Sequence, residues 1–252
     1  MYSTIDIVWL QDDLRIADNP LLHFTSPPSY LLCLYVLDEQ WFSPLFDGES
    51  TPRIGPARLR FLWQSLMELR GELLKRGSDL LVRIGKPSDV VIELATMLNV
   101  RQVRVADHAG VDEAAHIQAV EQGLPSQTAL ECIESGRLID RQVLPFEREA
   151  LPGSFSAFRR SVEGVCTVPA SRCAPVTLPP WPEAARGFPP LKAVCEMSAT
   201  WQPDSRQGYA YGGGETAAHV RLDNYLWRQQ GGKAYKKTRN GLLGANFSTR
   251  VS

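Results

Sequence analysis

Short runs of apolar and β-branched residues punctuate the first half of the chain: Ile5–Leu10, Tyr30–Leu37, Leu80–Ile84 and Val103–Ala106, with Ala129–Ile133 a weaker fifth. They are continuous runs, not alternations with polar residues, which is the pattern of strands buried on both faces of a parallel sheet. Between them the period lengthens. Leu59, Leu62, Leu66, Leu69 and Leu73 recur at three- and four-residue spacing and form one apolar helix face. Gly77 follows where a C-terminal cap belongs. Val90, Val91, Leu94 and Leu98 form a second face, led by Pro87, with Ser88 as its N-cap candidate. A third, weaker helix is predicted from about Asp112 to Glu121. This alternation predicts βαβ units, hence an α/β fold with a doubly wound, parallel five-stranded sheet.

Around Gly164 the periodicity ends. Eight of the eighteen prolines fall between Gly164 and Gly214. Proline fixes φ and removes a donor, so this stretch is expected to be a long surface connector. Gly212–Gly214 close it, and Glu215 opens a helix carrying Ala218, Leu222 and Leu226 on one face, ended by Gly231–Gly232. The expected organisation is an α/β domain over 1–163, a Pro-rich interdomain linker over 164–214 and a short helical piece over 215–252.

Charge sharpens this division. Seven Lys/Arg stand against Glu215 and Asp223 after residue 214, so that segment carries +5 and the remainder −6 within a net charge of −1. A basic end on an acidic body points to an anionic ligand, cofactor phosphate or nucleic acid, or to an ordinary solvated face. Five cysteines without a CxxC pair fit a reducing compartment, and a zinc site from Cys166, Cys173 and Cys195 lacks paired spacing. The longest apolar run is far too short to span a bilayer and no secretory signal is evident, so a cytoplasmic protein without a membrane partner is expected.

Chemical motifs are sparse. GxGxxG after a strand, a Walker loop, a GxSxG elbow and HExxH are all absent. The four histidines are scattered and read best as surface or capping residues. The last fifteen residues, TRNGLLGANFSTRVS, gather hydroxyls and backbone donors around arginine, which is chemistry suited to phosphate. The residues alone therefore reach an α/β domain followed by a basic segment with phosphate-binding chemistry.

Four blocks go further. VWLQDDLRIADNPLL (8–22) resembles the N-terminal signature of the photolyase/cryptochrome family, and LPFEREALPGSFSAFRRSVE (144–163) resembles the segment that closes that family's α/β domain. GGETAAHVRLDNYLW (213–227) and YKKTRNGLLGANFSTR (235–250) resemble the entry to its FAD-binding domain, with wording nearest the DASH-type cryptochromes. Gln11 departs from the pattern, standing where an arginine is usual, and His219 replaces a common leucine.

The resemblance implies blue-light photoreception or light-driven repair of cyclobutane pyrimidine dimers. It implies FAD, with Tyr235, Ser248, Thr249, Arg250 and Ser252 forming an edge of its phosphate site. The family's helical flavin domain would continue beyond this edge, so a truncated chain without photochemistry of its own is expected, or else an antenna-binding or interaction module. The resemblance also implies a 5,10-methenyltetrahydrofolate antenna. Asp112 or Glu113 would bond the pterin ring, or serve only the helix dipole; Cys33 and Tyr35 would line the same crevice, with core packing the alternative for Cys33. Single-stranded or damaged DNA, and a second copy docked on the exposed C-terminal helix, are the expected partners. Tyr225, Trp227, Tyr235 and Phe247 among basic residues would stack on bases or pack on the α/β domain.

Overall fold

Five parallel strands form the expected sheet: β1 (Ile5–Leu10), β2 (Tyr30–Asp38), β3 (Leu80–Gly85), β4 (Gln102–Ala106) and β5 (Ala129–Ile133), in the order β3-β2-β1-β4-β5. The computed structural model describes residues 3–46, 48, 50–185, 202 and 211–240. Successive residues of β2 point to opposite faces, and both faces are covered, which is why the whole run is apolar. Leu31, Cys33, Tyr35 and Leu37 meet helix α1 (Pro56–Lys75) through Leu59, Leu66, Leu69 and Leu73. Leu32, Leu34 and Val36 face the opposite layer of α2 (Pro87–Met97) and α3 (Val111–Gly123) through Val91, Leu94 and Val120.

The helices follow the predicted periods with small shifts at their ends. Gly77 adopts φ +89° just past α1, as its capping role requires. Ser88 is not an N-cap: α2 begins at Pro87, whose missing N–H suits the first helical position, so Lys86 is the cap and Ser88 lies inside the first turn. Beneath the sheet, Asp6 is fully buried and accepts hydrogen bonds from Arg101 Nε at 2.9 Å and Nη2 at 2.6 Å, so its charge is paired.

The described start of the Pro-rich segment is pinned to the domain at fixed points. The Asp18 N–H donates to the Arg172 carbonyl and Arg172 N–H returns a bond to Asp18 Oδ1, both at 2.9 Å. Further along, Leu178 N–H donates to Arg76 O and Leu31 N–H to Pro180 O. Leu178 is buried with the α1 layer and Trp181 packs against the α2/α3 layer.

After β5 comes the short helix α4 (Phe155–Val162), and beyond residue 210 the chain returns as α5 (Glu215–Asp223), followed by a π-helical turn over Asn224–Arg228 and α6 (Gly231–Thr238). The helical stretch opened by Glu215 gives out before Gln230, which takes a left-handed φ of 49°, beside the Gly231–Gly232 pair expected to end it; the two glycines instead open α6. Docking of α5 on α1 is specific. Gly213 N–H donates to Gln64 Oε1 and Thr216 N–H to Glu68 Oε1, while a Cβ on Gly213 would collide with the Phe61 carbonyl. Glu215 bridges further: its two carboxylate oxygens accept from the backbone N–H groups of Ile16, at 3.0 Å, and Ala17, at 3.3 Å. Glu215→Ala is expected to free both amides and loosen α5 while leaving the sheet intact. Hydrogen exchange should show faster exchange at Ile16, Ala17 and α5, with the protection of β1–β4 unchanged.

Candidate cofactor crevice

The chain winds from β1 through β2 to β3 on one side and resumes at β4 on the other. The strand order reverses beside β1, and in such sheets ligands bind beyond the carboxyl ends of the strands at that point. Here that edge carries a crevice with two lobes that share Asp12.

The lobe over β1 and β2 is narrow, about 60 Å³, and is lined by Tyr35, Trp41, Asp112, Glu113 and His116 among others. Asp112 and Glu113 reach it because they lie in the first turn of α3. Glu113 folds back over its own helix start. A Cβ on Gly110 would run into the Glu113 carboxylate and the His108 ring, so this approach needs glycine. His116, one turn on, is held through Nε2 by Asp38 Oδ2 at 3.3 Å. Trp41 lies against the Arg58 guanidinium, 5.6 Å from its ring centroid.

The second lobe, about 310 Å³, lies beyond β1, β4 and β5 and is lined by Asp13, Arg15, Asp107, His108, Ser135 and Arg137 among others. Its charges are largely paired. Arg137 and Arg141 both donate to Asp107 Oδ2, at 2.8 and 2.9 Å, and Arg137 also reaches Glu134. The Gly110 N–H donates to His108 Nδ1 at 2.9 Å, leaving Nε2 to donate to Asp12 Oδ2 at 2.9 Å. Asp13 is different. It is 6% exposed, accepts from Gln11 N–H through Oδ1, and its Oδ2 has no partner among the described residues. Burial pushes its carboxyl above the usual range, opposed by the Gln11 and Asp13 amides and the Arg15 charge.

Of the residues expected at the antenna crevice, the structure brings Tyr35, Asp112 and Glu113 together at the narrow lobe. Burial raises the Tyr35 phenol above its usual range. Cys33 is placed elsewhere: it is fully buried, pairs with Val8 and Leu80 in register, and belongs to the α1 layer, where burial pushes its thiol up to about 12. It lies five residues before Asp38, the last residue of β2, and core packing is its role. Tyr235 is half-exposed on α6, whereas Ser248, Thr249, Arg250 and Ser252, with Phe247, lie outside the described residues. Sequence reasoning missed His108, His116 and their carboxylate partners, because each pair joins residues more than seventy positions apart.

Residues 6–182 match the family described as DNA photolyase. The chain belongs to the photolyase/cryptochrome family. It is similar to the cryptochrome DASH of Arabidopsis thaliana, 33% identical over 98% of this chain and 44% of that protein. It is likewise similar to the cryptochrome DASH of Gloeobacter violaceus, 34% identical over 98% of this chain and 49% of that protein. The crystal structure of the Synechocystis cryptochrome superposes on all of this chain and 52% of its own length, with a TM-score of 0.88 and 28% identity. The chain therefore spans about half the length of the curated relatives it matches.

The buried Asp13 gives a pH prediction. A carboxyl whose folded pKa is raised favours the folded state below the unfolded value, near 3.9, and loses that contribution as pH rises through the folded value. Asp13→Asn is therefore expected to stabilise the protein at neutral pH, with the gain shrinking as pH falls toward about 4. Urea unfolding at several pH values measures it.

Proposed function

We propose that the chain serves DASH-type blue-light chemistry, photoreception or light-driven repair of cyclobutane pyrimidine dimers, by holding a light-harvesting 5,10-methenyltetrahydrofolate in the crevice. The observation that carries this reading is the likeness to the Synechocystis cryptochrome over the entire chain, the strand-end crevice and α5 included. The donor set fits a reduced folate, whose ring edge presents N–H groups and whose tail is anionic: Asp12, Asp112 and Glu113 are acceptors, and Arg15 lies nearby. Tyr235, Ser248, Thr249, Arg250 and Ser252 belong to this reading as an edge of an FAD phosphate site, with hydroxyls to donate and one arginine to neutralise charge. Bound cofactors would supply light absorption and electron transfer, and this chain's residues bind, orient and exclude water. One phosphate edge buries little of a flavin, so retention of FAD by this chain alone is expected to be weak. A cytoplasmic setting with reduced cysteines goes with the same reading.

The test is an absorption spectrum after incubation with excess FAD and 5,10-methenyltetrahydrofolate and removal of free ligand. A near-UV pterin band is expected, weakened about fivefold or more in Glu113→Gln through loss of a charged acceptor. A colourless protein would overturn the reading.

A second reading, an interaction module, is favoured by side chains left open at the C-terminal helices: Val220 is 52% and Trp227 73% exposed. Lys233, Lys236 and Lys237 lie on α6 close by in sequence, so a second copy or single-stranded or damaged DNA is the partner this face would take. On this reading light scattering gives a dimer at micromolar concentration, and a monomer throughout that range removes the self-association.

A further inference from the structure

Another cavity opens at the opposite edge of the sheet, where the strands begin. Leu31, the second residue of β2, gives its N–H to Pro180 O, so the Pro-rich segment crosses the amino end of that strand. Between that segment and the loop 22–28 lies a space of about 470 Å³, larger than either crevice lobe and well within the range of small-molecule sites. Both walls are braced by arginine. The buried Arg104, paired with Glu131, donates to Leu21 O at 2.8 Å and lies over the Phe24 ring, 4.4 Å from its centroid. On the facing wall, Arg76 Nε donates to Pro175 O at 2.9 Å, and the Arg76 carbonyl takes the Leu178 N–H. The space is therefore preformed, which spares a ligand the cost of ordering it.

The lining is poor in donors. Pro27, Pro28, Pro175 and Pro179 have no N–H to offer. The N–H groups of Leu22, His23 and Leu178 are already spent on Asn19 O, Pro20 O and Arg76 O. Apart from His23, no lining side chain among the described residues is ionisable. His23 Nε2 is buried without a hydrogen-bond partner among the described residues, which costs free energy until a donor or acceptor meets the ring. Turning about χ2, a broad torsion, brings that nitrogen toward the cavity the half-buried ring lines. An uncharged, donor-poor wall with one unspent imidazole suits a neutral ligand that brings its own N–H. Phe24 adds a ring to stack on. Arg104 behind it draws on the Phe24 π-density, so an electron-rich ring packs best on the cavity side.

We infer that this cavity binds a small, neutral aromatic heterocycle with a ring N–H, of the indole class, stacked on Phe24 and the prolines and donating to His23. The site shares no lining residue with the crevice and stands independently of the light-driven reading.

The test is titration of the full chain with indole and with benzofuran, which has the same shape but a ring oxygen in place of the N–H. Equilibrium dialysis gives each dissociation constant, and NMR shifts of the Phe24 and Thr177 amides give the location. Indole is expected to bind about tenfold more tightly than benzofuran, and His23→Phe to bring the two within about twofold. Thr177→Trp, at an exposed position, fills the space and should weaken indole about tenfold or more. Thermal unfolding checks each variant. Should His23→Phe fail to fold, the ratio of the two probes and Thr177→Trp carry the test. Equal constants for indole and benzofuran in the unaltered chain overturn the inference, as does a ratio that survives His23→Phe. Indole binding unchanged in Thr177→Trp, or shifts confined to crevice residues, also overturns it. So does a lack of indole uptake at concentrations up to about 10 mM.

Discussion

The connection that leaves β1 runs over buried ground, so each amide in residues 11–19 needs an acceptor the loop itself has few of. The acceptors come from near and far. Asp13 takes the Gln11 amide, and Asn19 binds the Asp13 and Arg15 carbonyls through Nδ2 while its Oδ1 takes the Leu21 amide. Asp18 exchanges bonds with Arg172, and Glu215 takes the amides of Ile16 and Ala17. One loop thus fixes the floor of the crevice, the path of the Pro-rich segment and the seat of α5. Satisfying the backbone locally is what ties three distant parts of the chain together.

The chemistry of the crevice follows from which charges remain after that pairing. Net charge says little here, because Asp107 is paired with Arg137 and Arg141, and Asp12 and Asp38 are each hydrogen-bonded to a histidine. Gln11 Oε1, Asp13 Oδ2 and Ser135 Oγ, all in residues that line the crevice, are buried without hydrogen-bond partners among the described residues. Buried polar groups are normally satisfied, so a concentration of exceptions at one edge distinguishes it from the core beneath. The same edge lies where the strand order reverses, which leaves room between diverging connections.

Much of this architecture is legible in the chain. The five apolar runs became the five strands, and the leucine face of Leu59–Leu73 became the buried face of α1. By sequence Cys33 suits either core or crevice, and its depth in β2 decides for core, because it stands two residues before Tyr35 on the same face and so a full repeat deeper. The cap at Lys86 is not legible at residue level, since neighbouring residues of similar propensity compete for each helix end. The His108–Asp12 and His116–Asp38 pairs gave no local signal at all.

What the sequence by itself determined is what short-range physics controls: where apolar runs demand two-sided burial, where the helical period holds, and which blocks resemble the family. What only the tertiary structure decided is which acids and bases meet, which of them stay unpaired, and how the room beyond the strands is divided. Pairing and cavity volume depend on residues far apart along the chain converging at one edge, and periodicity carries no information about that convergence.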